Sequence, residues 1–177
     1  MHVLMANKLG ALGVLLSDAT AAALDGLSPS AAALLLTLRY QGEMTATQLA
    51  TIAGIAQPTA VRVTGGLIGR KLVERRDRAG RTTPLKLTRD GVRRAETLQR
   101  ARLDAMNRVL ASLTAIERAA FAAALDKVLA GATRSRAFAR TACRLCDHDL
   151  CRGPLCPIGS RASAIERAQT MSEEETS

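Results

Sequence analysis

The chain has 177 residues, 47% apolar but only 2% aromatic, with no tryptophan and a formal charge of +9. That length gives one domain with appendages and a core that needs no disulfide staples. The pI of about 10.4 calls for a polyanionic partner, nucleic acid or an anionic membrane surface, and apolar runs such as residues 30–38 stop well short of the roughly 20 residues of a membrane span.

Alanine and leucine fill the apolar share, which predicts a helix-rich fold with close helix packing. Residues 3–25 read as a helix ending near Gly26. The start resembles a leader peptide only faintly, because Lys8 sits inside the apolar stretch, and it is read as a helix of the mature protein. Ser28 caps the next helix, Pro29 suits its first turn and Gly42 closes it. Thr45 caps a short helix with Leu49, Ala50 and Ile52 on its apolar face, and Gly54 makes the turn. A second helix starts at Gln57-Pro58, with Ala60, Val63 and Leu67 on one face. Gly65 and Gly66 inside it either permit close backbone approach or weaken the helix end.

Past Leu72, LVERR and TPLKLT read as two short strands around a turn at Gly80, with Pro84 confining the second to an edge or an irregular start. Thr88 caps a long helix through residue 113, with Asp90 near its positive end. Thr114 and Glu117 form a capping box for another, which Gly131 stops. Residues 134–141 read as a basic, polar lead into a cysteine cluster, a short helix is expected over 162–169, and the tail MSEEETS reads as disordered.

A short helix, a glycine turn and a second helix with a polar outer face form a helix-turn-helix. The second helix must offer short polar or basic groups to base edges while its back packs on the domain. The hairpin after it carries Arg75, Arg76, Arg78 and Arg81 and can reach flanking phosphates or the minor groove. The cations sit accordingly: residues 1–60 hold only Lys8 and Arg39, whereas residues 62–94 are dense with them.

The stretches TATQLATIAGIAQPTAVRVTGGLIGRKLVERR and DRAGRTTPLKLTRDG, in this order of helices, resemble the MarR (multiple antibiotic resistance regulator) family over about residues 8–130. The most specific part is the wing, with Asp77, Arg81, Leu87, Thr88 and Gly91 at the family's positions. The resemblance implies a mainly α fold with a small β-hairpin wing: a winged helix-turn-helix homodimer with N- and C-terminal dimerisation helices and wing arginines aimed at the minor groove. In these terms residues 1–27 form the first dimerisation helix, 28–90 the DNA-binding domain, 91–133 the C-terminal dimerisation helices, 134–160 a cysteine-rich metal-binding segment and 161–177 a polar tail. The chain departs from the family where Pro58-Thr59 replaces Ser-Thr and where Gly65 and Gly66 replace a charged pair; Arg62 matches the family's arginine.

Six residues are candidates for DNA contact. Arg62 suits bidentate pairing with guanine or a phosphate. Gln57 and Thr59 are read either as base or phosphate contacts or as helix capping, and Val61 either as a thymine-methyl contact or as half-buried. Arg81 is the wing-tip residue and Arg78 its competitor, with Asp77 orienting one of them. Leu49, Ile52, Ile55, Val63 and Leu67 are assigned to the core.

All four cysteines lie in CRLCDHDLCRGPLC, as Cys143, Cys146, Cys151 and Cys156, with Pro157 following. Four thiols within reach of one point suit a soft or borderline metal. The spacing fits structural zinc, and a cysteine before proline also ends [4Fe–4S] runs; zinc and cluster stay undecided. A zinc knuckle shares only the spacing, since Arg144 and Leu150 stand where it has an aromatic and a glycine. A third reading is reactive thiols, activated by Arg140, Arg144 and Arg152. His148 reads as a loop residue rather than a ligand.

The expected function is that of a cytoplasmic transcriptional regulator, a repressor, binding double-stranded DNA as a homodimer. It would answer to a small-molecule effector, or to redox state, gas or metal through the cysteines, and no membrane partner is expected. The alternative is a zinc-dependent protein binding RNA or single strands, against which the shortage of stacking aromatics counts. An enzyme or electron carrier is not expected, with only His2 and His148 as histidines and no nucleotide-binding glycine loop.

Overall fold

A computed structural model describes residues 2–77 and 83–174. Eight helices and a two-stranded hairpin follow in the order α1 (His2–Ala23), α2 (Pro29–Gln41), α3 (Ala46–Ala53), α4 (Gln57–Gly69), β1 (Val73–Arg75), β2 (Leu85–Leu87), α5 (Arg89–Val109), α6 (Ala115–Ala132), α7 (Arg136–Ala142) and α8 (Pro157–Glu174). None of these helices is long and apolar enough to cross a membrane.

The core is built around α2. Its residues Ala31 to Leu38 are all buried, so the helix is covered on every side. Leu49 of α3, Leu67 of α4, Val73 and Leu85 of the hairpin and Ala95 and Leu98 of α5 close over it. Ile55 and Val63 pack at its margin.

Local chemistry sets the element ends. The Ser28 hydroxyl accepts from Ala31 N, and Thr45 and Thr114 complete reciprocal capping boxes with Gln48 and Glu117. Gly54 takes the left-handed conformation (φ 67°) that the turn after α3 demands. The hairpin pairs Val73 with Leu87, Glu74 with Lys86 and Arg75 with Leu85. Met44 joins it as an isolated β-bridge, exchanging both backbone bonds with Leu85 at 3.1 and 2.8 Å, which the sequence did not announce.

Several boundaries differ from expectation. Helix α5 ends at Val109, and residues 110–113 turn toward the next cap. Helix α6 runs through Gly131 to Ala132, because the Thr133 hydroxyl and N–H bond Leu129 and Ala130 carbonyls beyond the glycine. Residues 136–142 form α7, capped by Ser135. The last helix begins at Pro157, a residue favoured in a first turn, and takes in Met171–Ser172 of the tail read as disordered. It is anchored by Arg136, which pairs with Glu166 at 2.6 Å and bonds Ser163 at 2.7 Å.

A second, small core joins α7 and α8: Ala139, Cys143, Cys156, Ile158 and Ala162, with Leu129 of α6 beside it. Helices α1 and α6 bury no residue in the single chain; Val3, Leu9, Val14, Ile116 and Val128 are more than half exposed.

Candidate nucleic-acid interface and cysteine cluster

Helix α4 presents its back to the core through Ala60, Thr64 and Leu67. Its outer face carries Gln57, Val61, Arg62, Gly65, Gly66 and Arg70, all exposed. Val61 is 52% exposed, which removes the half-buried alternative for it. Thr59 is half-buried at the first turn. Gln57 does not cap α4, which has no side-chain cap; its Nε2 donates to Thr47 Oγ1 at 3.1 Å, tying the start of α4 to α3. Arg62 makes no hydrogen bond or ion pair with any described residue. Among the described residues, nothing outside the helix's own nearby backbone lies within 4 Å of where a Cβ would stand on Gly65 or Gly66, so no close approach among them explains these glycines.

In the wing, Arg76 is paired with Glu43 at 3.3 Å, and Lys86 with Glu74 at 2.8 Å. Arg75 is exposed. Arg78 and Arg81, like Gly80 at the expected turn, lie outside the described residues. Lys71, Arg75, Arg89 and Arg93 rim a groove between the wing and α5, with Glu74 and Asp90 among them. Lys71, Arg89 and Arg93 were not singled out in the sequence; the density of cations over 62–94 was the signal for them.

Residues 25–81 match the MarR family model. MarR-like structures share the fold. MepR, a transcription regulator of the Staphylococcus aureus multidrug efflux pump MepA, is 18% identical and superposes with a TM-score of 0.62 over 74% of this chain and 98% of its own. A MarR family protein from Bacillus stearothermophilus is 21% identical with a TM-score of 0.64, covering 71% and 91%. A Mycobacterium tuberculosis MarR family protein in complex with p-aminosalicylic acid is 27% identical with a TM-score of 0.56, covering 70% and 96%. No curated protein matches the chain. The fold is thus the MarR winged helix.

The family match stops short of the cysteines. All four line one cavity of about 210 Å3, together with Arg136, Arg140, Arg152 and His148. Electrostatically the thiols act in two pairs, Cys143 with Cys146 and Cys151 with Cys156. Among the described residues, no three histidine, cysteine, aspartate or glutamate side chains are already drawn together as a metal site. The Cys143 thiol donates to Cys146, which holds Cys146 down to about 6 against the opposing effect of burial, with help from the Arg102 and His148 charges. The same pairing and burial push Cys143 up. Burial and Cys156 raise Cys151 to about 11. The cation acting on Cys146 is therefore Arg102 of α5, not the loop arginines to which the sequence pointed. Arg144 instead bonds its own helix at Thr141 O, 2.7 Å away. His148 Nε2 meets the Cys143 carbonyl at 3.1 Å, as a residue that shapes the loop.

Proposed function

We propose that the protein is a homodimeric transcriptional repressor of MarR type that binds double-stranded DNA sequence-specifically. The observation that carries this reading is the outer face of α4, where exposed Val61 and Arg62, which bonds no described residue, stand beside the basic wing on a MarR fold. Arg62 and Val61 read bases, Gln57 and Thr59 position the helix start, and Arg78 and Arg81 reach the minor groove. The apolar faces of α1 and α6 are suited to burial against a second copy, which would set two recognition helices about one DNA turn apart.

A small-molecule effector has a place in the cleft of about 760 Å3 between α1 and α5, lined by alanines with Arg94 and Arg108 at its edges. The sequence had nominated no pocket, because no aromatic residue marks it. The reading involves no catalytic step. The single-strand alternative is not favoured: Tyr40, the one tyrosine, is engaged inside the fold against His148.

The test is selection of duplexes from a random pool, followed by competition between the selected duplex and its separated strands across a salt series. Preference for the duplex, falling steeply with salt, is expected. Equal or tighter binding to single strands would overturn the reading.

A further inference from the structure

The loop between Cys143 and Cys151 is held from outside by α2 and α5. Gln99 of α5 is 2% exposed and faces the loop backbone. With its amide oriented to satisfy both neighbours, its nitrogen donates to Leu145 O at 3.3 Å and its oxygen accepts from Asp147 N at 3.1 Å. Arg102, one turn along, donates to the same Leu145 carbonyl. Tyr40 of α2 stacks on His148, and the Asp147 carboxylate acts on its hydroxyl. Arg39 joins Glu96 at 3.2 Å to Asp149 at 3.8 Å. On the other side, Thr141 of α7 places its hydroxyl on Thr51 O at 3.4 Å. Its methyl sits where a side chain on Gly54, the turn of the helix-turn-helix, would press at 3.3 Å.

A buried amide with both ends committed to a loop backbone is stabilising only if the loop stays in place; otherwise two polar groups are left unsatisfied. Between α7 and α8 the chain forms only turns and the short 3-10 segment Gly153–Leu155. What can fix it lies at the cysteines. Cys156 stands at the start of the 18-residue helix α8, and Gly159 N donates to its sulfur at 3.2 Å. A Cβ on Gly159 would press that sulfur at 3.1 Å, so the backbone is fitted to it. Arg136, Arg140 and Arg152 around the cavity would offset the negative charge of several thiolates gathered on one centre.

We propose that Cys143, Cys146, Cys151 and Cys156 form a tetrathiolate centre for a thiophilic metal, and that the loaded centre holds the loop on Gln99 and Arg102 and α7 on the helix-turn-helix. Binding draws the two thiol pairs together across the cavity, and the thiol protons pass to solvent. The consequence for DNA rests on the regulator reading: α7 packs on α3, α3 on α4, and α5 is itself one of the dimerisation helices, so loading sets how the recognition helices are presented.

The experiment uses the full chain purified without oxygen. Metal and acid-labile sulfide are counted, and hydrogen exchange is compared before and after stripping with chelator and reductant. Either one zinc per chain without sulfide, or iron with matching sulfide, is expected, and the count tells which. Stripping should speed exchange about tenfold or more in residues 46–53 and 145–149, while the buried residues 31–38 stay slow. Thiols that all react freely in metal-free protein as isolated, or a metal whose removal leaves 46–53 unmoved, would overturn the proposal. Because cysteine variants can fail to fold, Gln99→Met serves as the second variant: metal retained with the response of 46–53 lost supports the latch, and an undiminished response overturns it. Selected-duplex affinity of the loaded and stripped forms, expected to differ about tenfold, reads the link to DNA, and equal affinities overturn that link. If neither form binds any duplex, the regulator reading falls, while metal content and exchange still decide the centre by themselves.

Discussion

Gly91, in the first turn of α5, lies so close to Leu72 that a Cβ on it would stand 1.9 Å from the Leu72 carbonyl oxygen. That contact seats α5 on the segment that follows α4, where the Thr88 hydroxyl also donates to Lys71 O at 2.7 Å. Gly91→Ala is expected to lower unfolding stability by about 1–3 kcal/mol, since backbone must move to relieve the overlap. Urea denaturation measures it, and an unchanged midpoint would contradict the packing.

Gly66 behaves oppositely. It is exposed on α4 with open space around it, so Gly66→Ala is expected to raise stability by up to about 1 kcal/mol through helix propensity. If α4 lies in a DNA groove, the same change should weaken duplex binding. Stability and affinity moving in opposite directions mark a glycine kept for a partner; both rising together would mean that the glycines only weaken the helix.

Arg62→Ala is expected to cost about 1–3 kcal/mol of duplex affinity and to relax preference at one base position. Arg75→Ala should weaken all duplexes alike and reduce the salt slope by about one. Fluorescence anisotropy on the selected site and on single-base variants separates them. A uniform loss from Arg62→Ala would make that residue a phosphate contact.

Leu9 of α1 is 63% exposed in the single chain. Leu9→Glu is expected to halve the mass seen by sedimentation and, with it, to abolish tight binding to paired half-sites. A wild-type chain that already sediments as a monomer would remove the dimer from the mechanism.

Tyr40 gives a spectroscopic handle, being the sole tyrosine in a chain without tryptophan. Burial, then its bond to Asp147, pushes its hydroxyl well above the ordinary phenol range. A folded pKa raised above the unfolded one contributes stability that is full below about pH 10 and is lost as pH rises toward the folded value. Phenolate absorbance is therefore expected to appear late and together with loss of helical signal. Ionisation near pH 10 in folded protein would show that the Asp147 contact is not formed in solution.

Much of the winged helix-turn-helix fold was legible in the sequence, because its determinants are local. Ser28, Thr45, Thr88 and Thr114 each cap the helix that follows, through bonds spanning three residues. Gly42 and Gly54 take the positive φ values that their turns require, and Ala60 and Leu67 fall on the buried face that their spacing gave them. Composition added the basic stretch around α4 and the wing, and the cysteine spacing put four thiols within reach of one cavity. What the chain could not announce depends on partners far away in sequence. Met44 became a bridge residue only because Leu85 came to lie beside it. Helix α7 formed where composition suggested a polar lead, its Ala139 covered by α8. Gln99, Arg102 and Tyr40 look like ordinary helix residues until the loop at 145–149 folds back onto them, across 43 positions for Arg102 and Leu145. A cap or a turn is decided by its neighbours along the chain, whereas a buried amide is decided by whichever backbone the fold brings to satisfy it.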